Sequence, residues 1–276
     1  MKNRVNFVIC FAQMLERIKK QTENTAYAET CEAATEALED DVENATVFDV
    51  AYRLHLCDAD KSMPDSVTEF LKTVYQIGID EGLVLSMNNM GSLYYTDRAG
   101  MKDYRKAMKY YTMAADTGFP LAAANLGFIY YYGLGTEVDY EKAYRYFSTA
   151  AMQGNLEALY MTGDMFRYGY YVKKSYPAAF VLYKQAADRC TSGEETDCSG
   201  FIFMRMGDCC YEGIGTEKDM EGALMFYQMA ERYFYDQIKD GDPFAGEELE
   251  RAIKVQTKIR RQIAKELPPL EWKKAG

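Results

Sequence analysis

The chain has 276 residues, 48% of them hydrophobic, and a formal net charge of −10. It carries enough apolar side chains for a packed protein, and its charge argues against a general nucleic-acid binder. No run approaches the roughly 18 apolar residues of a membrane span, and seven scattered cysteines, an odd number, suggest reduced thiols and a cytoplasmic protein.

Residues 1–45 read as an N-terminal cap of amphipathic helices. The run VNFVICFA is short for a signal peptide, no small-x-small cleavage site follows it, and Glu16, Lys19 and Lys20 arrive quickly. Val5, Val8, Ala12, Leu15 and Ile18 instead fit one helix face. Next, Ala28, Cys31, Ala34 and Leu38 form a thin apolar side beneath an acidic face running from Glu29 to Glu43.

Residues 83–242 are organised by repetition. Gly91, Gly127, Gly163 and Gly207 follow one another at steps of 36, 36 and 44 residues. Three more columns keep the same register: Ala107, Ala143, Ala179 and Ala223; Tyr111, Phe147, Tyr183 and Tyr227; Ala114, Ala150, Ala186 and Ala230. Such a period marks a helical array. A helix-interior glycine costs about 1 kcal/mol relative to alanine, so packing must compensate. Each glycine is expected to face the alanine 16 residues later, which lets two antiparallel helices approach closely. Asp103, Asp139, Ser175 and Asp219 stand where the second helix of each pair starts and can cap it. Gly133 and Gly135, then Gly213 and Gly215, suit the turn between the helices, and Gly118 and Gly154 close the second helix.

Residues 46–82 read as a degenerate copy. His55 stands at the glycine position and Leu71 at the alanine position, so close contact is lost and looser packing is expected. His55 is the only histidine; with no ligand spacing around it, it reads as a helix residue. The stretch Cys190–Gly200 is the insertion behind the 44-residue step and reads as a surface loop. Residues 243–276 supply a C-terminal capping helix and a tail. There Leu249, Ile253, Val255, Ile259, Ile263 and Leu267 form the apolar stripe, and Arg251, Lys254, Lys258, Arg261 and Lys265 line another face.

The pattern A-x-x-N-L-G-x-I-Y-x-x-G-x-G followed by D-Y-x-K-A-x-x-Y-x-x-A-A-x-x-G, clearest over 122–154, resembles the Sel-1-like repeat family, a relative of tetratricopeptide repeats. The resemblance covers roughly 86–231, with Asp97, Ala99 and Tyr171 departing from the loop glycines. It implies an all-α fold: a right-handed α-solenoid of antiparallel helix-turn-helix repeats, with helical caps, that binds proteins. Cysteine-rich secreted members pair cysteines eight positions apart. Cys190 and Cys198 share that separation but lie off the usual place, so bonded and reduced forms both stay open.

No site of chemistry is visible. The glycine pairs of GLGT and GIGT lack a preceding strand and are not dinucleotide fingerprints. C-x-x-C, Ser-x-x-Lys and Lys-Thr-Gly are absent, and one histidine excludes most triads and histidine-based metal sites. The expectation is therefore a noncatalytic adaptor with no cofactor or metal, holding a protein or peptide. In such superhelices the first helices line the concave side. On them a stripe beside the core columns offers Asn89 and Ser92; Asn125, Phe128 and Tyr132; Asp164 and Tyr168; and Arg205, Asp208 and Glu212. Amides there could pair with a peptide backbone, and aromatics contribute area. Two alternatives remain: a homodimer assembled through the charged terminal helices, and an unrecognised hydrolase.

Overall fold

The computed structural model describes residues 2–21, 27–32, 44–56, 63–97, 99–194, 196–239 and 245–266. All regular structure among them is helical. The helices are α1 (Lys2–Gln21), α2 (27–32), α3 (Asn44–Leu56), α4 (Asp65–Asp80), α5 (Val84–Tyr95), α6 (Tyr104–Ala115), α7 (Pro120–Tyr132), α8 (Tyr140–Met152), α9 (Leu156–Tyr168), α10 (Tyr176–Thr191), α11 (Ser199–Glu212), α12 (Met220–Lys239) and α13 (Ala245–Glu266). Within each unit, helices adjacent in sequence pack on one another, as an α-solenoid of antiparallel helix pairs requires. Two compact units divide the chain, residues 1–146 and 147–276.

The helix boundaries follow local chemistry. Asp103 accepts hydrogen bonds from the backbone N–H groups of Arg105 and Lys106, Asp139 from Lys142, Ser175 from Ala178 and Asp219 from Gly222. Each thus satisfies an otherwise orphaned donor of the first turn. Gly133, Gly169 and Gly213 end α7, α9 and α11 in the left-handed region, with φ of 69°, 77° and 77°. Tyr171 adopts a φ of 62° in the turn column that Gly135 and Gly215 occupy elsewhere. A side chain there carries strain of roughly 1–2 kcal/mol.

In the first unit α1 docks through Phe11, Leu15 and Ile18, each buried, and the edge of Phe11 meets the Phe70 ring at 5.6 Å. Tyr27 and Cys31 of α2 are buried as well. Ala34, Leu38 and most of the acidic run lie outside the described residues. The α3–α4 pair is not loose. Val50, Ala51, Leu54, Val67, Phe70, Leu71, Val74 and Tyr75 are all buried in one core cluster. His55 does not wedge the helices apart, because its Nδ1 lies 3.0 Å from the Tyr75 hydroxyl and makes a buried hydrogen bond.

That pairing corrects the expectation for the glycines. Gly91, Gly163 and Gly207 face rings. A Cβ at Gly91 would lie 2.7 Å from the ring of Tyr111, at Gly163 2.6 Å from Tyr183, and at Gly207 2.9 Å from Tyr227. Each tyrosine comes 20 residues after its glycine, as Tyr75 does after His55. The glycine opens a slot for an aromatic side chain, while the alanine column, fully buried, stays small for its own packing.

In the second unit the ends of the insertion join the helices, and its described middle, residues 192–194, 196 and 197, is an exposed connection. α10 continues to Thr191 and α11 starts at Ser199, and Cys190, Cys198 and Ser199 at the two ends are buried. Cys190 and Cys198 are free thiols. Burial pushes the Cys198 thiol up to about 12. On α13 the buried positions are Ala245, Leu249, Ala252, Gln256 and Ile259, whereas Ile253 is 40% exposed. Gln256 takes a core position because its amide donates to the Tyr227 carbonyl and to the Glu231 carboxylate. Leu267 lies outside the described residues.

Candidate functional site

The first unit holds a cavity of about 560 Å³ lined by Phe48 and Tyr52 of α3, Tyr75 of α4, Leu83, Val84, Leu85, Ser86, Asn88 and Asn89 at the start of α5, and Leu121 of α7. Its walls are mostly apolar. Tyr52, Leu83, Leu85 and Leu121 are 50%, 39%, 62% and 39% exposed, an unusual concentration of large apolar side chains at one mouth. The polar groups at the cavity are few and ordered. Asn125 donates to the buried Asn88 at 3.3 Å, and Asn88 donates to Asn89 at 3.3 Å. Asn89 also reaches the Tyr75 hydroxyl. An apolar cleft with a short amide chain beside it can take up a large apolar side chain and hold a neighbouring peptide group.

The equivalent helix faces in the second unit are arranged differently. Asp164, buried, accepts from the Tyr183 hydroxyl at 2.5 Å and from Nε and Nη2 of Arg205 at 2.8 and 2.9 Å. Forty-four residues on, Asp208 accepts from the Tyr227 hydroxyl at 2.7 Å, from Arg167 at 2.9 Å and from Nη2 of Arg251 at 3.0 Å. Burial lowers the acidity of the Tyr183 and Tyr227 hydroxyls, and the adjacent carboxylates add to this. For Arg205 burial opposes the charge, but the charge and hydrogen bonds of Asp164 outweigh it and hold the guanidinium ionised. Each carboxylate ties one helix pair to the next, α9 to α11 and α11 to α13, in an interior where an unpaired charge would be costly.

Four Sel1 repeats match the sequence, over residues 84–119, 120–155, 156–189 and 204–232. The chain is a Sel1-repeat protein. Among solved structures it is similar to a protective antigen of uropathogenic Escherichia coli with an SLR fold, at 20% identity and a TM-score of 0.57, covering 92% of this chain and 54% of that one. The chain therefore spans about half the length of that antigen. It is also similar to a Sel1 repeat protein from Oxalobacter formigenes, at 21% identity and a TM-score of 0.56, covering 78% and 88%. No curated protein matches the chain in sequence. At these identities the likeness is one of fold.

Within the Sel1 repeats the ten predicted groove residues fall into separate settings. Asn89 lines the cavity and Asn125 joins it through Asn88. Ser92 is half-buried on α5, where its carbonyl accepts from Thr96. Phe128 and the exposed Tyr132 stack one turn apart on α7, with ring centroids 6.2 Å apart. Asp164, Arg205 and Asp208 are engaged in the internal ion pairs just described. Tyr168 is 45% exposed beneath the Arg167 guanidinium, and Glu212 is exposed 3.7 Å from the same arginine. Tyr52, Leu83, Leu85 and Leu121, the mouth of the cavity, escaped sequence reasoning. The signal that could have found them is a run of leucines, Leu83, Leu85 and Leu121, at helix starts where core columns do not need them.

Proposed function

We propose that the chain is a noncatalytic scaffold that holds an extended peptide of a partner protein in the first-unit groove. One observation carries the reading: four large apolar side chains left in water around one cleft, with an amide chain beside it. Such exposure is retained where a partner covers it. Sel1 repeats are commonly protein-interaction scaffolds, which supports the same reading. A cytoplasmic setting goes with it, since Cys190, Cys198, Cys209 and Cys210 form no disulfide. No described helix is long and apolar enough to cross a membrane.

A photocrosslinker placed at Leu85 in the native complex tests the proposal. A peptide of one partner should be recovered there, and Leu85→Glu combined with Tyr52→Ala should weaken binding of that purified partner at least tenfold while thermal unfolding stays unchanged. Asn125→Ala with Tyr132→Ala should weaken it as well if the peptide extends along α7. Undiminished binding in the Leu85→Glu, Tyr52→Ala chain refutes the groove.

A further inference from the structure

From Arg251 to Lys265 the last helix carries six cations and no carboxylate, in a chain of net charge −10. Arg251 is spent on Asp208, and Arg260 donates to Gln256. Lys254, Lys258, Arg261 and Lys265 are exposed, and none lies within ion-pairing distance of a carboxylate among the described residues. Elsewhere in the second unit Lys184, Arg189 and Lys239 each meet a carboxylate three to five residues away. The spacing of the four is 4, 3 and 4 residues. At 100° per residue this confines them to an arc of about 60° along roughly 16 Å of helix. Like charges at these separations destabilise a helix. The C-terminal end of the helix dipole compensates only within the last turn, at Lys265.

We propose that this stripe is a second docking surface, and that its occupant is an acidic helical segment of a partner protein with carboxylates at the same 4-3-4 spacing. Complementary charge selects the occupant. A nucleic acid presents many phosphates to a molecule whose remaining residues are strongly negative, and that repulsion opposes it. A membrane surface would require apolar anchors beside the cations, and Ile253 alone is exposed among the large apolar residues of α13. The surface is independent of the groove of the first unit, so either can fail without the other.

The test uses the full chain and a labelled helical peptide with four glutamates at 4-3-4 spacing, read by fluorescence anisotropy. Binding should weaken at least tenfold between low and physiological salt. It should weaken at least tenfold again in Lys254→Glu, Lys258→Glu, Arg261→Glu. These positions are exposed, so the melting temperature should hold; the glutamine triple variant, which creates no new ion pairs, serves if it does not. Equal binding of a peptide with the same glutamates scrambled, tighter binding of a duplex oligonucleotide or of anionic vesicles, or an unaffected triple variant overturns the proposal. So does a salt-sensitive dimer of the chain alone that the triple variant abolishes, since the second copy would then be the occupant.

Discussion

At Gly163 the ring of Tyr183 occupies the place of a Cβ, and Tyr183 in turn gives its hydroxyl to Asp164. An added methyl must push a ring anchored at its far end. Gly163→Ala should therefore lower stability by about 1–3 kcal/mol from overpacking, although alanine is the better helix former by about 1 kcal/mol. Urea unfolding measures the balance, and a stabilised variant would show the slot to be slack. Glu157 offers a second residue-level test. Partial burial in the first turn of α9, with the Asp197 charge nearby, pushes its carboxyl up to about 7. The folded state then holds this proton more tightly than the unfolded chain does, so stability declines as pH rises from the ordinary carboxyl range through about 7. Glu157→Gln removes the penalty. It should raise stability at pH 8 on the order of 1–2 kcal/mol, leave it unchanged at pH 4, and flatten the profile between them.

At the level of elements, one ion pair ties α13 back to α11, beyond its packing on α12. Arg251 reaches Asp208 from a side chain 43% exposed, whereas Arg167 reaches it from one only 10% exposed. Removing the carboxylate leaves the buried Arg167 only the exposed Glu212 at 3.7 Å; removing Arg251 leaves Asp208 with Arg167 and Tyr227. Asp208→Ala should thus cost about 3–5 kcal/mol, and Arg251→Ala about 1 kcal/mol or less. Denaturant titration of both variants checks the ranking, and equal losses would contradict the division of roles. The first unit joins α5 to α7 instead by neutral amides, Asn88 to Asn125. A weaker polar tie there leaves the apolar side chains of the cleft without a competing charge.

At the scale of the whole molecule, a helix pair is supported by its chain neighbours within its unit, so a disturbance should fade with distance along the sequence. Hydrogen exchange on Gly163→Ala should show lost protection in α9, α10 and α11 and native protection in α4 and α5; uniform loss would mean global cooperativity. The repeat period, the caps at Asp103, Asp139, Ser175 and Asp219, and the glycine turns were legible in the sequence, because each depends on residues a few positions apart. The tertiary structure decided what the glycines face, that His55 is absorbed by Tyr75, and that α13 buries Gln256 and exposes Ile253. It also decided that Asp164 turns to Arg205, and Asp208 to Arg167 and Arg251, while Tyr52, Leu83, Leu85 and Leu121 meet at one cleft. Helical periodicity assigns a residue to a face, but its hydrogen-bonding partner comes from another helix 19 to 43 residues away, and only packing brings the two together.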